Sequence, residues 1–193
     1  MARTQEFDRN EVLQAAMTLF WSKGYEATSL ADLLQATGLS KSSLYASFGD
    51  KRSFFLEAFE LYRKQRLATL DRILDTGPSA RQALENMLWQ VALYTMQSDD
   101  ACGCMVANEA VELGPHDANI RLLVLADFQE VEDRIYRSLQ QAQLEGSVST
   151  DKDARSLARF MIVTLQGIQV MARANSDRDR LIDSVKLMLS LLD

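Results

Sequence analysis

The residues best placed to do chemistry lie in one run, Thr37-Gly38-Leu39-Ser40-Lys41-Ser42-Ser43-Leu44-Tyr45-Ala46-Ser47-Phe48-Gly49-Asp50-Lys51-Arg52. Leu44 and Phe48 stand four apart, so a helix over about 40–46 turns both to one side and leaves Lys41, Ser42, Ser43 and Ser47 on the other. Short hydroxyl side chains at a helix start let an anion approach the free N–H groups, where the helix dipole favours negative charge. Lys41, Lys51 and Arg52 outweigh the one acid, Asp50, across residues 37–52. The chemistry this pattern supports is the holding of phosphates, with no bond made or broken.

Cys102-Gly103-Cys104 is the second cluster. The spacing predicts that it opens a helix over 101–113, where a thiolate gains reactivity and could sense an electrophile, an oxidant or a soft metal. Asp99 and Asp100 oppose thiolate formation, and buried, inert cysteines are the plainer reading. One intervening residue is too tight for an easy disulfide, and no His/Cys pair completes a zinc site, so no metal is expected. His116 is the single histidine and reads as a loop residue near a helix start. The chain contains no Gly-rich phosphate loop, nucleophile elbow, HExxH or Cys–His constellation. An enzyme is not expected, nor is a cofactor.

The elements that must position these groups are helices. Of 193 residues 47% are hydrophobic and 25% charged, with 2 prolines and 8 glycines, too few turn-formers for many short strands. Apolar residues recur at three- and four-residue spacing over 8–23, 29–37, 40–46, 50–75, 79–97, 101–113, 117–144, 151–174 and 177–192. The expected fold is all-α with about nine helices. Ser29 and Asp32 form a capping box with the shorter acid, Gly38 ends that helix, and Ser40 caps the next. A glycine turn of this length between two short helices is a helix-turn-helix. Residues 1–75 hold ten basic and ten acidic side chains, so the whole net charge of −6 falls in 76–193, a division of labour between two modules. MARTQEFDRN lacks an apolar signal core, and no stretch approaches a membrane span. A cytoplasmic protein without a membrane partner is expected.

The stretch Phe20 to Phe55 resembles the head of TetR-type transcriptional regulators. The resemblance rests on Phe20, Gly24-Tyr25, Thr28, Gly38-Leu39-Ser40-Lys41, Leu44-Tyr45, Phe48 and Lys51. It covers about the first quarter of the chain; beyond it only length and helical character match. Leu34 stands where the family carries a small residue, Ser42 where glycine is common, and Ala46-Ser47 where larger polar residues are frequent. The resemblance implies an N-terminal helix-turn-helix DNA-binding domain (1–52), a linking helix (about 50–75), and a ligand-binding and dimerisation domain within 53–193. Position by position it implies that Thr28 and Lys51 hold phosphates and that Lys41, Ser42, Ser43 and Tyr45 face the major groove. Ser47 would be a further phosphate contact, with Arg3 reaching the duplex from an arm.

One small head makes too few contacts for tight binding, so a homodimer on a palindromic double-stranded DNA operator is expected, with half-sites about 34 Å or a multiple apart. Leu181, Val185, Met188 and Leu192, with Ile182, Leu187, Leu189 and Leu191, widen into an apolar surface that reads as half of a four-helix interface through about 151–192. Trp89, Met96, Met105, Asn108, Phe128, Met161 and Leu165 are the residues expected to line a chamber for a small-molecule effector. Asn108 and Gln166 are polar groups in apolar helices, and either could orient it or simply face water. The expected function is a ligand-responsive regulator, a repressor as is most frequent in such a family. Two alternatives stand beside it: the same regulator sensing an electrophile or oxidant through Cys102 and Cys104, and a helical adaptor that touches no DNA.

Overall fold

A computed structural model of the chain describes residues 7–97, 102–174 and 177–193. Among the described residues there are nine helices and no strand: α1 Arg9–Lys23, α2 Leu30–Thr37, α3 Lys41–Phe48, α4 Lys51–Leu74, α5 Ala80–Gln97, α6 Met105–Glu112, α7 Ala118–Leu144, α8 Ala154–Arg173 and α9 Arg178–Ser190. The chain divides into two compact units, Met1–Gln65 and Arg66–Asp193. The division falls inside α4, thirteen residues beyond the boundary at 52 expected from sequence. The reason is aromatic: Phe54, Phe55, Phe59 and Tyr62 of α4 are buried, and they supply much of the first unit's core.

In the first unit every helix start carries a polar side chain that satisfies its free N–H groups. Asp8 accepts from Asn10 and Glu11, Ser40 from Ser43 at 3.1 Å, and Asp50 from Ser53 at 2.7 Å. Ser29 and Asp32 complete the reciprocal capping box. Phe20, Phe54, Phe55, Phe59, Leu33 and Leu44 are fully buried. Phe20 meets Phe55 edge-on at 5.2 Å, and Phe48 stacks on Phe54 at 4.1 Å. Phe48 therefore anchors α3 by its inner face.

Gly38 links α2 to α3 at φ 67°, ψ 8°, and its N–H reaches the Leu34 carbonyl at 3.0 Å. A Cβ there would meet no atom within 4 Å, so replacement incurs backbone strain alone. Gly38→Ala is expected to destabilise the unit by about 1 kcal/mol, measured as a lower midpoint in urea.

The second unit is a helical bundle. Leu84, Met87 and Leu88 of α5 pack with Ile135 and Leu139 of α7, Leu157, Met161 and Leu165 of α8, and Leu181, Val185 and Met188 of α9. Arg81 of α5 ties the chain's end into this bundle, donating to the carbonyls of Ser147 and Leu192 and pairing with Asp193 at 2.6 Å.

This packing corrects one expectation. Leu181, Val185, Met188 and Leu192 are buried inside the unit and cannot form an interface, because they face α5, α7 and α8 of their own bundle. The exposed apolar residues of this region are Phe160, Val163 and Val170 on α8 and Leu187 on α9. Their spacing on α8, together with exposed Gly167, defines one outward stripe.

Candidate nucleic-acid interface

α3 has two faces of opposite character. Leu44 and Phe48 are buried, whereas Lys41, Ser42, Tyr45 and Ala46 are exposed and Ser43 and Ser47 half-buried. Tyr45 is 45% exposed, so its ring belongs to the outer surface and is not sealed in the core. The first turn of α3 carries no acidic residue. Ser40 Oγ lies 2.9 Å from Ser42 Oγ and 2.8 Å from Ser43 Oγ, a cluster of hydroxyls around a helix N-terminus. The backbone N–H groups of that first turn point out of the helix, where an anion is favoured.

Charge around α3 is sorted by local pairing. Lys23 bridges Asp32 at 2.6 Å, and that bond, with those from Ser29, holds the Asp32 carboxyl far below the usual range. Hydrogen bonds from Ser53 likewise lower Asp50. Both acids are engaged as helix caps. Lys51 lies with its Nζ 4.3 Å from the centroid of the Tyr25 ring, a placement that fixes the cation at the start of α4. Lys41 Nζ stands 6.0 Å from the Tyr45 centroid. Arg9, unremarked in the sequence, donates to the Ser47 carbonyl at 3.0 Å, bridges Glu57 at 2.6 Å and lies over Phe48, locking the end of α3 against α1 and α4.

The structure thus brings Lys41, Ser42, Ser43, Tyr45, Ser47 and Lys51 together on and beside α3. Thr28 is the exception. It is 0% exposed and its hydroxyl donates to the Gly24 carbonyl at 2.6 Å. A side chain closed inside the unit does not present a hydroxyl to a phosphate; Thr28 shapes the turn before α2 instead. Arg3 lies outside the described residues.

The residues expected to line an effector chamber are distributed less evenly. Met105, Met161 and Leu165 are buried core residues, and Trp89 and Phe128 are half-buried against the same core. Asn108 Nδ2 donates to the Cys102 carbonyl at 3.0 Å. The Met96 side chain lies outside the described residues.

Of the two cysteines only Cys104 stands at a helix start, and the helix expected from 101 begins later. Gly103 adopts φ 66°, a left-handed conformation no helix continues through, so α6 begins only at Met105 with Cys104 as its N-cap. Cys102 is half-buried and Cys104 buried. Arg66 Nη1 donates to Cys104 Sγ at 3.2 Å, and Nη2 of the same guanidinium donates to buried Asp127 of α7. Sequence reasoning missed this knot, although Asp127 interrupts the apolar stripe Val124–Val131 at helical spacing.

Glu109 of α6 was also passed over. Burial and the nearby Glu112 raise its pKa to about 8, and Arg173 partly offsets them. The folded chain therefore holds a proton that the unfolded chain releases near the ordinary carboxyl value. Stability from this group is complete below that value and is lost as pH rises through about 8. Glu109→Gln is expected to flatten the loss, on the order of 1–2 kcal/mol between pH 6 and pH 8, read from urea midpoints across that range.

Comparison with known proteins agrees with the class these two units define. Residues 12–58 match the family model for bacterial regulatory proteins of the tetR family, and residues 80–187 match the tetracyclin repressor-like C-terminal domain. The chain is 32% identical over 194 residues to the uncharacterized HTH-type transcriptional regulator YezE of Bacillus subtilis (strain 168), covering all of both. It is 30% identical to the HTH-type transcriptional repressor ComR of Escherichia coli (strain K12), over 98% of this chain and 90% of that protein. Among solved structures, the TetR family transcriptional regulator CifR, as a cysteine-substituted form complexed with 26-bp double-strand operator DNA, superposes with TM-score 0.87 at 32% identity over all of both chains.

The chain belongs to the TetR family of bacterial regulatory proteins. Among the described residues no helix is long and apolar enough to cross a membrane.

Proposed function

We propose that the protein is a transcriptional repressor that binds a two-fold operator as a homodimer and changes its DNA affinity when a small molecule binds the helical body. The observation that carries this reading is the outer face of α3: exposed Lys41, Ser42 and Tyr45 beside Lys51, with no acid in the first turn and a buried Leu44–Phe48 anchor behind. Ser43 and Ser47 flank that face, and the small side chains at Ser42 and Ala46 let the helix backbone come close to the groove wall. Few long side chains are available for bidentate base contacts, so specificity per half-site is modest and pairing of heads supplies the rest. CifR, solved on operator DNA, supports the same reading.

Dimerisation falls to the outward stripe of α8 and α9. Val163 is 71% exposed and Leu187 63%, and apolar side chains this open on adjacent helices suit a second copy of the same surface. Val163→Asp with Leu187→Asp is expected to give a folded monomer by light scattering and to weaken DNA binding at least tenfold.

Effector binding would be sensed through α4, which belongs to both units. A ligand that prefers one arrangement of the Arg66 end of this helix would alter operator affinity by about 5- to 150-fold. Trp89, Phe128, Met105, Met161, Leu165 and Asn108 are the proposed surroundings of that ligand. The sensing alternative through Cys104 is less favoured, because its thiol is buried and already bonded to Arg66. A gel-shift titration against the DNA upstream of the protein's own gene tests the whole reading. A shifted band, lost at high salt and in the lysine variants, is expected; no shift at micromolar protein would overturn it.

A further inference from the structure

Two side chains of the second unit carry buried oxygen atoms with no hydrogen-bond partner among the described residues. Glu109 of α6 is 0% exposed, and neither of its carboxyl oxygens meets a hydrogen-bond partner. The Oε1 of Gln166, on α8, is likewise buried and unmatched. Buried polar groups in native proteins are nearly always paired, so a cluster of orphans in one region points to something that pairs with them.

Arg173 of α8 relates the two groups. Gln166, Gln169 and Arg173 stand at i, i+3 and i+7, which places them along one face of α8. The backbone leading into α6 sits on that face: a Cβ on Gly103 would lie 3.1 Å from the Gln169 carbonyl and 3.5 Å from the Arg173 Cβ. Arg173 Nη1 donates to the Cys102 carbonyl at 3.2 Å, and Arg173 acts electrostatically on Glu109. Glu109 follows Gly103 by six residues and begins the second turn of α6. Glu109 is thus linked through Arg173 to the place where the segment leading into α6 lies on the C-terminal half of α8, and Gln166 stands on the same face of α8, two turns before Arg173.

The chemistry of the orphans sets the occupant. All three are oxygen atoms, and a deprotonated carboxyl and an amide carbonyl both accept hydrogen bonds. What satisfies them together is a donor with more than one N–H. A carboxyl out of water is stabilised in its charged form by hydrogen-bond donors and by a cation beside it, and Arg173 offsets only part of the burial that keeps Glu109 protonated. Leu165 and Met161, buried one turn away on α8, offer an apolar flank to the rest of such a molecule.

We infer that Glu109 and Gln166 are the polar anchors of the effector site and that the effector is a small organic cation bearing a nitrogen donor, an amine or amidinium. The inference rests on the ligand-responsive reading above and gives its ligand a chemical class. The binding step is acid–base balanced: the cation enters, and the proton held by Glu109 leaves to solvent.

The test is calorimetric titration of the full-length protein at pH 7 with benzamidine, phenethylamine and tetramethylammonium, against neutral benzamide and anionic benzoate. Titrations in buffers of different ionisation heat count protons released. At least one of the two N–H cations is expected to bind tenfold or more tightly than benzamide, with release of about one proton per site. Tetramethylammonium, which has no N–H, is expected to bind more weakly than the N–H cations. Glu109→Gln is expected to remove the proton release and weaken binding at least tenfold. Gln166→Leu is expected to weaken it several-fold with release intact. Binding of cation and benzamide alike, release unaltered in Glu109→Gln, or no binding by any cation would each overturn the inference. The same samples are titrated with operator DNA alone: normal DNA binding with no response to the cations fails this inference only, whereas absent DNA binding fails the regulatory reading.

Discussion

Replacing Lys41, Tyr45 and Lys51 together by alanine is expected to lower operator affinity roughly 100- to 1000-fold at physiological salt while leaving the fold intact. Lys41 and Tyr45 lie outside the core and contribute little to stability. Lys51 is half-buried over Tyr25, so its removal carries a small folding cost that thermal melting monitors separately. In a dimer the substitutions delete four cations and two aromatic contacts. Each lysine that neutralises a phosphate contributes about 0.9 to the slope of log affinity against log salt. The slope should therefore fall by about 3–4 in the triple variant, read by fluorescence anisotropy at several salt concentrations. Loss of affinity with the slope unchanged would mean that the lysines act through folding and not through phosphates.

The second large effect lies in the body. Asp127 is fully buried, and the Arg66 guanidinium that pairs with it also donates to Cys104 Sγ. Removing the carboxylate by Asp127→Ala leaves a cation without its counter-charge in a largely dry site, at a cost of about 3–5 kcal/mol. A pair replaced on both sides by apolar residues of similar volume, Arg66→Met with Asp127→Leu, should recover most of that loss. The contrast between the single and double variants, measured by urea unfolding, separates the missing charge from lost packing. Arg66 lies on α4, and it joins α4 to the N-cap of α6 and to the middle of α7. The double variant should consequently keep DNA binding and lose much of its response to effector. Stability restored with the response unaltered would show that Arg66 carries no signal.

The parts of the molecule that the sequence revealed share one property: they are set by neighbours in the chain. The Ser29–Asp32 capping box, the Gly38 stop and the Ser40 cap are local, and all three are as their residue types require. The outer position of Lys41 and Ser42 follows from the Leu44–Phe48 pair in the same helix. What escaped was set by distant packing. The α9 stripe of Leu181, Val185 and Met188 reads from sequence as an interface, since periodicity identifies an apolar face without saying what covers it. The bundle covers it, and the exposed stripe on α8 was left to Phe160, Val163 and Val170. The family resemblance put Thr28 on a phosphate, but it is fully buried, with its hydroxyl donating to the Gly24 carbonyl. Arg66 and Asp127 are 61 residues apart, and no local pattern joins them. A single carboxylate on an apolar stripe was the available signal, for Asp127 and for Glu109 alike.

The most direct measurement is of where two protomers touch one duplex. Hydroxyl-radical footprinting of the protein on the DNA upstream of its own gene measures this. Two protected patches on one side of the duplex, related by a two-fold axis and about one helical turn or a multiple apart, are the predicted result. A single patch, or no protection at protein concentrations that saturate a gel shift, would contradict it.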